Sequence, residues 1–127
     1  MPIENKIIET RTEKVYFKNG IMYCITKSVP KHNLEDAKEN VRATIEISEG
    51  TDYRLLVDIR QSNFVSRDAR SYYISDNNKG VKVCAFVIDN AVSRIIGNMF
   101  MGFNKPSFPV KLFSSTEKAE EWLRSFN

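Results

Sequence analysis

Two apolar runs, Leu55-Leu56-Val57 and residues 81–88, show no clean alternation of polar and apolar side chains. A strand with one face in water alternates, whereas a strand apolar on both sides is covered on both sides, as in the middle of a sheet flanked by helices. These two runs confine the chain to an α/β arrangement, and the other elements are read around them.

Upstream, Asn19-Gly20 supplies the two positive-φ residues of a tight type I′ turn, so residues 15–26 read as a β-hairpin. The turn fixes the register: Lys18 faces Ile21, Phe17 faces Met22, Tyr16 faces Tyr23 and Val15 faces Cys24, which gathers Val15, Phe17, Met22 and Cys24 on one face. Residues 7–12 extend this hairpin or form a strand of their own. Asn33 caps a helix with Glu35 and Asp36 in its first turn, a buried stripe of Leu34, Ala37, Val41 and Ile45, and a stop at Gly50. The strand over 54–60 follows. Ser66 opens a second helix to Asp76 with Ala69, Tyr72 and Tyr73 inward, and Gly80 breaks it before the strand over 81–88.

Asp89 or Asn90 caps a third helix, which Lys105-Pro106 ends, since a residue before proline avoids helical geometry. Residues 110–113 form a last strand, and Ser114 with Glu117 makes a capping box for a helix burying Ala119, Trp122, Leu123 and Phe126. The expected fold is α/β: a mixed sheet with an N-terminal β-hairpin followed by αβαβαβα, helices flanking the sheet, in one domain spanning 1–127.

The chain has 127 residues, enough for one core without disulfides or metal. Its longest apolar stretch is far short of the roughly 20 residues of a membrane helix, and its first residues are too polar for a signal peptide, so no transmembrane segment and a cytoplasmic location are expected. Cys24 and Cys84 sit in strand-like apolar runs at a spacing that matches no redox or zinc pattern and read as buried free thiols. The net charge of +3 is small. Nine Lys or Arg against four Asp between residues 54 and 113 make the middle of the chain basic. Dispersed charge of this kind reads as a solvated surface, and no nucleic-acid partner is expected.

Catalytic patterns are missing. His32, the one histidine, lies in a polar turn and reads as a surface residue. No Gly-x-Ser-x-Gly elbow, zinc set, calcium loop or phosphate-binding glycine motif is present, which points to a non-enzymatic domain with no cofactor and no metal.

Two surfaces remain as binding candidates. Asp58 and Asp89 fall at the carboxyl ends of the inner strands, where open α/β sheets gather ligands, with Arg60, Arg67 and Arg94 expected near the same edge. The alternative is that Asp58 pairs with a neighbouring arginine and Asp89 caps a helix. The third helix is apolar most of the way round, so Ile96, Met99, Phe100, Met101 and Phe103 offer a face for a second copy or another protein, unless Phe108-Pro109 and the last helix bury it. Whether Phe64, Tyr73, Phe100 and Phe108 fill a space or surround one separates an interaction module from a small-molecule or lipid binder.

The stretch Ser93-Arg94-Ile95-Ile96-Gly97-Asn98, the run from Phe103 to Pro109, and the close from Leu112-Phe113 through Ala119 to Trp122-Leu123 resemble small bacterial proteins of unknown function with STAS-like domains. These are fold relatives of anti-sigma-factor antagonists and sulfate-transporter cytoplasmic domains, a superfamily that takes in CRAL/TRIO lipid-binding domains. The resemblance implies a mixed sheet with helices wound along it and much less about activity. It also implies a phosphorylatable Ser or Thr in a Phe-x-Asp-Ser pattern, but in the matching run, Phe64 to Ala69, Ser66 stands at the Asp position and Arg67 at the phosphoacceptor position. That departure argues against a phosphoswitch and leaves Ser66 as a helix cap. The expectation is a non-enzymatic interaction or regulatory module, self-associating as a homodimer. A small-molecule or lipid binder is the alternative.

Overall fold

The computed structural model describes residues 2–75, 80–91, 93–95, 98 and 107–126. In chain order its elements are β1 (Ile7–Glu9), β2 (Glu13–Lys18), β3 (Ile21–Thr26), β4 (Lys31–His32), α1 (Leu34–Ser48), β5 (Tyr53–Asp58), β6 (Phe64–Val65), α2 (Arg67–Tyr73), β7 (Val81–Val87), β8 (Val110–Phe113) and α3 (Thr116–Arg124). Six strands form one sheet in the order β1-β2-β3-β5-β7-β8, and β4 pairs with β6 in a small parallel sheet of its own. The first three strands are antiparallel, and β3, β5, β7 and β8 run parallel.

The hairpin register is the expected one, from Lys18 opposite Ile21 to Val15 opposite Cys24. Asn19 and Gly20 take the positive φ values of 50° and 84° that a type I′ turn needs. Because side chains alternate along a strand, this register propagates across the sheet as rows. The row Ile8, Val15, Cys24, Val57, Phe86, Leu112 lies on one face, under α1 and α2. The row Tyr16, Tyr23, Leu56, Ala85 lies on the other, where Ala119 and Leu123 of α3 cover it. The inner strands are thus apolar on both sides because a core sits on each side of them.

Residues 7–9 form a separate edge strand, one of the two arrangements expected for 7–12. Several other local expectations are corrected. The last helix is capped by Ser115, whose hydroxyl accepts from the Lys118 amide, in place of Ser114. The second helix ends at Tyr73; Asp76 lies outside the described residues. In α1, Ile45 is 53% exposed, and the buried stripe runs instead through Ala37, Asn40, Val41, Thr44 and Ile47. The stripe keeps helical spacing but includes polar side chains, which a search for apolar residues passes over. The third expected helix is seen at residues 91, 93–95 and 98, with the Asn90 side chain accepting from the Ser93 amide at 2.8 Å, so Asn90 is the cap. Ile96, Met99, Phe100, Met101 and Phe103, the expected dimer face, lie outside the described residues.

Asn33 and Asp36 close a reciprocal capping box on α1: the Asp36 amide donates to Asn33 Oδ1 (3.1 Å) and the Asn33 amide to Asp36 Oδ2 (2.8 Å). Asn33→Ala opens one half of it and is expected to cost about 1 kcal/mol, read as a lowered urea midpoint with an unchanged slope.

Candidate functional site: a chamber between the helices and the sheet

On the α1–α2 face the core does not close. A cavity of about 60 Å³ lies between the sheet and the helices. Its floor includes Leu55, Val57, Phe86 and Val110, and its roof includes Val41, Tyr73, Ile74 and Phe108. Tyr73 and Phe108 therefore border a space, while Phe64 is 58% exposed and stands away from it; Phe100 lies outside the described residues.

One end of the chamber is polar, and its geometry follows from three elements. In β2, Glu13 faces Thr26 in the hairpin register, two residues from the Val15–Cys24 pair and hence on the same inward face. In α1, Asn40 points inward one turn after Asp36 and is only 1% exposed. The pairing of β4 with β6 and the Ser66 amide bonded to the His32 carbonyl (2.9 Å) pull His32 in beside α2.

Asn40 organises this end. Its carboxamide oxygen accepts from the Thr10 hydroxyl (2.5 Å), and its nitrogen donates to Thr12 Oγ1 (2.8 Å) and Tyr73 Oη (2.9 Å). Tyr73 Oη also lies 2.5 Å from His32 Nε2, a bond that a neutral imidazole protonated on Nδ1 makes by accepting the phenol proton. Burial pushes the imidazole down to about 4, with the nearby Arg11 charge acting the same way and Asp36 opposing.

The expected surface histidine is thus a wall residue 5% exposed. It was missed because its burial comes from the β4–β6 pairing, which joins residues far apart in sequence.

Glu13 was not singled out in the sequence either. It is 3% exposed, and burial pushes its carboxyl up to about 7, a shift that a hydrogen bond with the Cys24 thiol opposes. Cys24 and Cys84 are free and buried, as expected, and both border the chamber. Burial raises both thiols above their ordinary range, so neither is a thiolate nucleophile at neutral pH.

Residues 15–127 match the family model described as Domain of unknown function (DUF7793). The chain belongs to that family. No curated protein matches it. Among solved structures, the DUF7793 chain is similar to an uncharacterized protein of the DUF3478 family with a SpoIIAA-like fold from Shewanella loihica PV-4. The TM-score is 0.60 at 16% identity, over 91% of this chain and 98% of that one. The likeness shows the fold, which is SpoIIAA-like and hence STAS-like. These comparisons give no link to CRAL/TRIO domains.

The residues expected to bind at the strand ends occupy other parts of the DUF7793 domain. Asp58 and Arg60 meet in a bidentate pair (Nε–Oδ1 3.0 Å, Nη2–Oδ2 2.7 Å), and Arg60 also reaches Thr116 Oγ1 (3.4 Å) at the start of α3. This pair lies on the α3 side of the sheet, with the sheet between it and the chamber. Asp89 contributes to the field at Arg60 and is exposed beside the Asn90 cap. Ser66 caps α2, its oxygen accepting from the Ala69 amide (3.3 Å) and its hydroxyl donating to Asp68 (2.5 Å). Arg67 is exposed on the first turn of α2, and Arg94 is exposed on the helical residues after Asn90. Among the described residues no cluster of three or more His, Cys, Asp or Glu is arranged to hold a metal. No described helix is long and apolar enough to cross a membrane.

Proposed function

We propose that this DUF7793 domain is a non-enzymatic, STAS-like binding module whose chamber holds a small, mainly apolar molecule. The chamber itself carries the reading. Protein interiors are packed like organic crystals, and an empty space of 60 Å³ costs about 1–2 kcal/mol in lost packing. A space of that size has room for about four non-hydrogen atoms, and a few polar groups at one end of an apolar wall are the usual make-up of a ligand site. A non-enzymatic role is supported by the state of the polar groups: the thiols are neutral, and His32 is occupied by the Tyr73 proton.

Xenon, an apolar probe of suitable size, tests this directly. Under a few atmospheres of xenon, the methyl resonances of Leu55, Val57 and Val110 are expected to shift, with those of exposed Ile7 and Ile45 unmoved. Uniform small shifts at all five residues, or none, would remove the chamber as a binding site.

A second reading, contact with a protein partner or a second copy of the chain, is favoured by four large apolar side chains that are more than half exposed among the described residues: Ile7, Ile45, Phe64 and Ile95. They belong to different elements, and single exposed apolar residues are ordinary on protein surfaces, so the chamber is the stronger basis. Sedimentation equilibrium decides the self-association part: a monomer at high concentration counts against it.

A further inference from the structure

Among the described residues that line the chamber, Glu13 is the one acid and there is no Lys or Arg. The Cys24 thiol hydrogen-bonds the Glu13 carboxyl, and other polar groups nearby are committed elsewhere. Asn40, Tyr73 and His32 satisfy one another, the Thr26 hydroxyl donates to the Asp58 carbonyl (2.7 Å), and the Thr44 hydroxyl donates to the Val41 carbonyl (2.7 Å). A carboxylate in such a place has lost its water without gaining a counter-charge, which is strongly unfavourable unless it stays protonated or a cation comes to it. The remaining wall suits the second course, because Phe86, Phe108 and Tyr73 are among its lining residues and aromatic rings accept a cation and its hydrocarbon together.

We infer that the molecule held in the chamber is a small alkyl amine, bound as its ammonium ion with Glu13 as the carboxylate that receives its N–H groups. This deepens the chamber reading and rests on it. The volume suits an amine of about four non-hydrogen atoms, such as propylamine, or the end of a longer one.

The titratable groups facing Glu13 leave its charge without competition. Cys24 and Cys84 from the sheet and Tyr73 from α2 are kept neutral by burial, and His32 from β4 is neutral above about pH 4. On α1, Asp36 is engaged by Arg11 through Nε–Oδ1 (2.8 Å) and Nη2–Oδ2 (2.6 Å). Affinity for the amine should therefore follow the ionisation of Glu13, being highest above neutrality and falling as the carboxyl is protonated.

The test compares propylamine with its near-isostere 1-propanol on the full chain, following the chamber methyls and the Glu13 carboxyl carbon by NMR. At pH 8 the amine, with a pKa near the ~10.4 of lysine, is a cation. It is expected to bind at least about tenfold more tightly than the alcohol and to lose on the order of a hundredfold between pH 8 and pH 5, where Glu13 is two units below its folded pKa of about 7. Glu13→Gln is expected to reverse the preference, keeping the alcohol and binding the ammonium ion more weakly than the alcohol because no carboxylate meets its charge, and its retained alcohol binding shows that its chamber is intact. Equal binding of the two probes by the unaltered protein would overturn the amine inference while leaving the chamber reading in place. An undiminished amine preference in Glu13→Gln would overturn it in the same way. If neither probe moves the chamber methyls, the chamber reading falls as well.

Discussion

Glu13→Gln is expected to be more stable than the unaltered protein by about 3 kcal/mol at pH 8, with the gain vanishing near pH 4. The carboxyl titrates near 4.5 in an unfolded chain and is pushed up to about 7 by burial in the fold. Between those values the native state binds more protons than the unfolded state, so stability falls as pH rises and levels off above the folded pKa. Glutamine keeps the shape and cannot ionise, which removes the loss. His32 has the opposite sign. Its folded pKa of about 4 lies below its ordinary 6.5, so the unfolded state binds more protons in that window, and the stability it contributes above 6.5 is lost as pH falls. Over most of pH 4.5 to 6.5 the two slopes oppose each other. Glu13→Gln should therefore unmask the His32 slope, with stability rising by about 3 kcal/mol from pH 4 to pH 6.5. Urea unfolding at half-unit pH intervals reads this, and a variant whose profile runs parallel to that of the unaltered protein would show that Glu13 does not titrate as described. A cost of this size is a large share of the roughly 5–15 kcal/mol that holds a domain together. Stability alone does not account for an acid at this position, and a bound cation that meets the charge does.

The architecture was legible because its determinants are local or strictly periodic. The Asn19-Gly20 turn fixed the hairpin pairing, and the doubly apolar runs at 55–57 and 81–88 identified the inner strands. The chamber was harder to see for three separate reasons. Glu13 was within reach: carrying the same register two residues past Val15 and Cys24 places Glu13 and Thr26 on the inward face, but an acidic residue suggests solvent. Asn40 and Thr44 were hidden because they are polar side chains in the buried stripe of α1, where helical spacing points to apolar ones. His32 could not be found from local pattern at all, since a two-residue pairing with β6 decides its burial. Pairing of Asp58 with a neighbouring arginine was one of two readings open in the sequence, and which side of the sheet the Asp58–Arg60 pair serves depends on where α3 crosses, which is a tertiary fact.

The strongest structural prediction concerns Asn40. Asn40→Ala is expected to lose about 3–5 kcal/mol, whereas Ile45→Ala, which removes a larger apolar side chain from the same helix, should stay within about 0.5 kcal/mol. Ile45 is 53% exposed, so little burial is lost there. Truncating Asn40 leaves the Thr10 hydroxyl, Thr12 Oγ1 and the Tyr73 phenol each short of a partner in a place water does not reach freely, and it enlarges the chamber beside them. Asn40→Asp separates the hydrogen-bonding role from the packing role. A carboxylate at this position has no N–H to offer, so the phenol of Tyr73 is expected to turn its proton to the new acceptor and release His32 Nε2. Nitrogen NMR of His32 reads the change as a tautomer shift away from Nδ1–H, together with a rise of its pKa toward the ordinary value. An unchanged tautomer in Asn40→Asp would mean that something other than the Asn40–Tyr73 bond sets the ring. If Asn40→Ala proved no more damaging than Ile45→Ala, the polar end of the chamber would be loosely solvated, and Glu13 and His32 would lose the dry surroundings that displace their titrations.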